Sequence, residues 1–111
     1  MTKSEVLAQV REIQPGEYSD QRLLDMIDEC DQRVLREVLD GYLIPQSGGE
    51  LVVPPPYDGL YKWWVLANIC LLQQDVAGYN NFMQLFNALW EEYGRMVSRT
   101  YRREKPSVYR L

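Results

Sequence analysis

Residues 43–56 cannot form a helix, and that stretch divides the chain into two helical parts. Pro45, Gly48, Gly49 and the run Pro54-Pro55-Pro56 fall within fourteen positions. Proline lacks the amide that a helix interior needs, and its ring clashes with the preceding turn. On both sides of this break the apolar residues recur every three or four positions, the period of an amphipathic helix. The predicted fold class is all-α. It is a small four-helix domain with long second and fourth helices, a Pro/Gly-rich loop or hairpin between helices 2 and 3, and an extended C-terminal tail. Residues 1–104 are assigned to the helical domain and residues 105–111 to the tail.

Thr2-Lys3-Ser4-Glu5 has the spacing of a capping box, so a short helix should follow with Val6, Val10 and Ile13 on one face. Pro15-Gly16 stops it. Ser19 or Asp20 should cap the second helix, in which Leu23, Leu24, Ile27, Cys30, Val34, Leu35, Val38 and Leu39 form the apolar face. Its expected length is five or six turns, ending near Gly41. Within the break, Leu43-Ile44 and Leu51-Val52-Val53 flank a polar turn. A small hairpin or extended excursion there would need a partner surface. Leu43, Ile44, Leu51, Val52 and Val53 are therefore candidate contacts with a neighbouring subunit or another partner surface.

Asp58 is the expected N-cap of the third helix. Leu60 to Leu71 leaves little polar surface, which places that helix at the centre of the domain. The fourth helix is expected from Asp75 or Tyr79 to about Arg103, with Gly78 as a tolerated defect or a second break. It carries two apolar stripes. One is Val76, Tyr79, Met83, Phe86, Trp90, Tyr93 and Val97; the other is Phe82, Leu85, Leu89 and Met96. Two stripes suggest that this helix packs on its own domain and on something else. Trp63, Trp64, Phe86 and Trp90 read as core.

The composition narrows the chemistry. There is no histidine, which removes the commonest general base and any Cys-His or Ser-His-Asp arrangement. The only cysteines are Cys30 and Cys70, both in apolar helical patterns, where buried free thiols in a reducing compartment are expected. Gly48-Gly49 lacks the context of a phosphate-binding loop. Acidic side chains crowd the second helix, but on an exposed helix face carboxylates are usually solvated charge. No enzymatic activity, metal or cofactor is expected. No signal peptide or long apolar run is seen, so neither secretion by that route nor a membrane partner is expected.

Charge is unevenly placed. Residues 1–60 hold twelve acidic and five basic side chains, a net −7, and residues 61–111 hold four and seven, a net +3. Such a chain can pair head-to-tail with copies of itself, or can present two solvated faces of opposite sign. The C-terminal segment joins Arg99, Arg102, Arg103, Lys105 and Arg110 with Tyr101 and Tyr109. Tyr and Arg are enriched at binding hot spots, so this segment is a candidate docking tail. The alternative is a small regulatory nucleic-acid-binding protein using the same tail, with weak, salt-sensitive affinity unless oligomerisation multiplies it.

Pro56-Tyr57-Asp58-Gly59-Leu60-Tyr61, Tyr79-Asn80-Asn81-Phe82-Met83-Gln84-Leu85-Phe86-Asn87, Tyr93 and Arg99-Thr100-Tyr101-Arg102-Arg103 resemble small proteins encoded among the structural genes of prophages in Gram-positive bacteria. The short helix at Ser4-Glu5-Val6-Leu7, the turn with Asp20 and the acidic helix Leu23 to Leu39 are similar in layout to the head–tail connector (adaptor) proteins of long-tailed bacteriophages. The resemblance implies a virion protein of the phage neck, assembled in the host bacterial cytoplasm. It implies a homo-oligomeric ring of about twelve copies under the portal protein. A head-closure or tail-completion protein would lie on the other side. Genomic DNA would cross the lumen during packaging and ejection without sequence-specific binding. An acidic wall would let the duplex slide, which makes Asp25, Asp28, Glu29 and Asp31 candidate lumen-facing residues. Arg99, Tyr101, Arg102, Arg103, Lys105, Tyr109 and Arg110 would dock on the portal.

Overall fold

Helix ends in this chain are set by side chains close by in sequence. In the computed structural model, which describes residues 1–16, 18–42 and 51–101, α1 spans Lys3–Ile13. Its capping box is complete. Thr2 Oγ1 accepts from the Glu5 amide and Glu5 Oε1 accepts from the Thr2 amide, both at 3.1 Å. Val6 and Val10 are buried, whereas Ile13, expected on the same face, is 46% exposed. The helix ends within one turn of Ile13, too early for that side chain to be covered. Arg11 then closes the turn, donating to the Tyr18 carbonyl at 2.6 Å and pairing with Asp20 Oδ1 at 2.7 Å.

Ser19 caps α2, Asp20–Glu37, by accepting from the Arg22 amide at 3.2 Å. Its 18 residues make about five turns. Leu23, Ile27, Cys30 and Val34 are buried on one face. Gly41 has φ 80°, a left-handed conformation that glycine adopts without strain, and it turns the chain away just past the helix. Leu35, expected on the apolar face, is 37% exposed.

Residues 51–54 run as an irregular strap, followed by a turn at Pro55-Pro56, a 3₁₀ turn, Tyr57–Gly59, and α3, Leu60–Leu72. Asp58 does not cap α3 through its side chain. It lies in the 3₁₀ turn, buried, with Oδ2 3.7 Å from the Met1 amino nitrogen. Eight of the thirteen residues of α3 are buried, and the helix packs on α1, α2 and α4. This is the central helix that its nearly unbroken apolar surface requires.

Gln73, Gln74 and Asp75 turn the chain into α4, Val76–Thr100, and Asp75 caps it by accepting from the Gly78 amide at 2.9 Å. Helices joined by so short a turn pack side by side, and α3 with α4 is the most extensive helix pair. Phe86, Tyr93 and Val97 are buried, while Phe82, Met83, Leu89, Trp90 and Met96 lie half-covered against the core. Val76 and Leu85, both placed on apolar stripes by their spacing, are exposed. The described residues form a four-helix all-α domain. Among them, no helix is long and apolar enough to cross a membrane.

Candidate interaction surfaces

The Asp31 carboxylate lies on the inner side of α2. Position 31 follows Ile27 by one turn and precedes Val34 by three residues, so the helix aims it at the core face. There it accepts from Tyr61 Oη at 2.6 Å and from the Val52 amide at 3.1 Å. The same Tyr61 oxygen accepts from the Val53 amide at 3.0 Å. Two helices and the strap meet in one hydrogen-bonded cluster, which supplies partners for strap amides that have no sheet to join. Burial, reinforced by the bond to Asp31, pushes the Tyr61 hydroxyl well above the ordinary tyrosine range.

This cluster corrects two expectations. Asp31 does not belong with the lumen-facing carboxylates, because its Oδ1 is engaged inside the fold. Leu51 and Val53 are not exposed contacts with a neighbour: they are 5% and 0% exposed and belong to the core, with Val52 packed against it. Their partner surface is supplied by the chain itself. Leu43 and Ile44 lie outside the described residues.

The other three acidic candidates differ from one another. Asp28 is half-buried and paired with Lys3 Nζ at 2.5 Å. Asp25 and Glu29 are exposed, and Asp25 accepts from Gln21 Nε2 at 2.9 Å. The solvent face of α2 therefore offers Gln21, Asp25, Glu29 and Gln32 in succession.

Arg33 ties α2 to the two helices behind it. Its guanidinium carbon lies 5.4 Å from the Trp64 ring centroid and 5.2 Å from that of Trp90, and its Nε donates to Glu37 Oε2 at 2.7 Å. A cation between two indoles is held by both ring faces. Phe86 completes the aromatic group, with its centroid 5.3 Å from each of Trp64 and Trp90. Trp64 and Phe86 are core, as expected; Trp63 and Trp90 are only half-buried.

Beyond Trp90 an open groove of about 830 Å³ separates the end of α2 from the last turns of α4. Arg36, Val38, Asp40 and Tyr42 line one side, and Glu91, Gly94, Arg95 and Arg99 line the other. Tyr42 Oη reaches across to Ser98 Oγ at 3.5 Å. Of the candidate tail, Arg99 is exposed and Tyr101 half-buried at the C-terminal end of α4. Arg102, Arg103, Lys105, Tyr109 and Arg110 lie outside the described residues.

At the other end of α4, the turn from α3 exposes Leu71, Leu72 and Val76 at 57%, 45% and 69%. Both cysteines are buried free thiols, and burial pushes each thiol above its ordinary range. Among the described residues, no group of three or more Cys, Asp or Glu side chains is placed to hold a metal ion.

Sequence reasoning missed the Asp31–Tyr61 bond and the Arg33 stack. The signal for the first was present, since Asp31 keeps helical spacing with Ile27 and Val34. No protein-family model matches the chain, and no curated protein or solved structure matches it either.

Proposed function

We propose that this chain is a non-catalytic assembly subunit of the phage neck: a head–tail connector that forms a ring below the portal and surrounds the DNA channel. The reading takes its class from the resemblance in helix layout and terminal motifs. One observation supports it further, the exposed carboxylates on the solvent face of α2. Asp25 and Glu29 stand exposed on α2, while Arg95 and Arg99 stand exposed at the end of α4. A wall that DNA must slide past should repel phosphate gently, and carboxylates spaced along an exposed helix do this. The lumen role is accordingly proposed for Asp25 and Glu29, with Asp28 screened by Lys3. Leu71, Leu72 and Val76 give the α3–α4 turn an apolar tip suited to contact with another protein.

Negative-stain images of the purified chain mixed with the portal of the same phage test this reading. Added density with the portal's rotational symmetry on its tail-facing side is expected. A portal with unchanged outline at saturating chain would overturn it. A monomer in solution is compatible with the proposal, since many weak contacts reinforce one another once the portal supplies a template.

A second reading is favoured by Arg95 and Arg99, which lead toward the basic tail: a small nucleic-acid-binding protein. It predicts an affinity for duplex DNA that falls steeply with salt and is abolished by removing residues 101–111. The connector reading predicts little DNA affinity at physiological salt.

A further inference from the structure

We propose that the strap, residues 51–54, is a releasable cover: it opens as one unit while the four helices stay folded, exposing Asp31, Tyr61 and the apolar surface that Leu51 and Val53 now fill. The first argument is how the strap is fastened. Among the described residues, no backbone-to-backbone hydrogen bond holds residues 51–53. Two side chains hold them instead. The Val52 amide donates to Asp31 Oδ1 at 3.1 Å and the Val53 amide to Tyr61 Oη at 3.0 Å. Pro54, Pro55 and Pro56 follow and carry no amide hydrogen, so they add no further donor. Because Tyr61 Oη also donates to Asp31 Oδ1, both latches rest on one hydrogen-bonded pair and release together.

The helices supply the second argument, since they hold one another without the strap. α3 packs directly on α1, α2 and α4, and the strap adds only Leu51 and Val53 to the buried core. Against that burial stands the chain entropy of fixing a segment with no regular structure of its own. Such segments open at a lower free energy than the whole fold. The next turn places the hinge. The Tyr57 amide donates to the Pro54 carbonyl at 3.0 Å, and the Tyr57 ring packs on Tyr93 with centroids 5.7 Å apart. The chain is thus anchored from Tyr57 onward, and residues 51–53 swing about Pro54.

The strap and the connector reading stand or fall separately, because opening needs no ring and no portal. Native-state hydrogen exchange of the full chain, followed by NMR in increasing sub-denaturing urea, tests the proposal. Corrected for intrinsic rates, the Val52 and Val53 amides should be equally protected, and about tenfold or more less protected than the Val65, Leu66 and Ala67 amides of α3. Their exchange should respond only weakly to urea, because opening exposes little surface. Val10→Ala, on α1, removes contacts that the open and closed forms share. It should speed exchange in α3 about tenfold or more and leave Val52 and Val53 unchanged. Tyr61→Phe should speed both strap amides about tenfold or more. The urea response is read on the parent protein and does not depend on any variant folding.

Three results would overturn the proposal. One is that the strap amides share the rate and urea response of the α3 amides, which would tie the strap to global unfolding. Another is a Val10→Ala protein in which Val52 and Val53 speed up as much as α3 does. The last is unequal protection of Val52 and Val53, or a Tyr61→Phe protein in which neither changes, since the latches would then not act as a unit.

Discussion

Tyr61 Oη donates to Asp31 Oδ1 at 2.6 Å, joining α3 to α2 across thirty residues of sequence. The strap is fastened to this pair by its Val52 and Val53 amides, so three segments share two side chains. Tyr61→Phe removes both the donor to Asp31 and the acceptor of the buried Val53 amide. It should destabilise the fold by about 1–3 kcal/mol, because a buried amide without a partner keeps its full desolvation cost. Asp31→Ala should cost a similar amount. The two together should cost clearly less than their sum, since each change already disables part of the same cluster. Denaturant unfolding of the two single variants and the double variant gives the coupling. Strict additivity would mean that the bond contributes little.

Gly78→Ala should destabilise the protein, although alanine is the better helix former. The added methyl would land on Asp75 Oδ2 and within 2.8 Å of Cys70 Sγ. The Asp75 carboxylate that caps α4 would have to move, and with it the bond to the Gly78 amide. A loss of about 1–3 kcal/mol is expected from the forced shift and the weakened cap, read by thermal or urea unfolding. An unchanged or raised unfolding temperature would show that the α3–α4 turn relaxes freely.

Stability should fall in alkali from about pH 8.5 upward. Burial pushes the Tyr93 hydroxyl up to about 12 and raises Tyr61 and the Cys30 thiol as well. In the unfolded chain a thiol ionises near pH 8.5 and a tyrosine near pH 10. Between those values and the raised folded ones, the unfolded state binds fewer protons than the native state, so stability decreases as pH rises. The contribution of these groups is complete below about pH 8.5 and is lost progressively from there through about pH 12. Urea midpoints measured from pH 8 upward check this. Tyr61→Phe should flatten the decline, and a flat profile in the parent protein would contradict the burial of these groups.

Thr2→Ala should fray α1, at a cost of about 1 kcal/mol in overall stability. The Glu5 carboxyl is held below its usual range by the bond from the Thr2 amide and, second, by the Thr2 side-chain hydroxyl. A depressed carboxyl contributes stability above its unfolded pKa and loses it as pH falls through the folded one. The parent should therefore lose α1 protection on acidification below about pH 4.5, and Thr2→Ala should show less of that dependence. Hydrogen exchange at the Val6 and Leu7 amides reports it.

The helices were legible because their signals are local. Thr2 and Glu5, Ser19, Asp75 and the apolar steps of α2 lie within a few residues of the ends or faces they define. The strap was not, because its position is set by Asp31 and Tyr61, which lie 21 and 8 residues from their strap partners Val52 and Val53. Leu51 and Val53 read as exposed only when their distant cover is unknown. On α4 the spacing identified apolar stripes but not how much of each α3 would cover. Val76 and Leu85 stay in solvent while Phe86, at the centre of the aromatic group, is buried. The acidic run on α2 read as one face, yet Asp31 turns inward, Asp28 meets Lys3, and only Asp25 and Glu29 remain open. The groove has no local signature, since it depends on how the end of α2 and the last turns of α4 are placed.

The proposal that the chain is a structural part of a virus particle is tested most directly by quantitative mass spectrometry of virions purified from a phage whose genome carries its gene. The account predicts that the chain is present at about as many copies per particle as the portal protein, roughly twelve, and that it leaves with the neck when heads and tails are separated. Particles that are infectious and complete yet contain none of it would contradict the account.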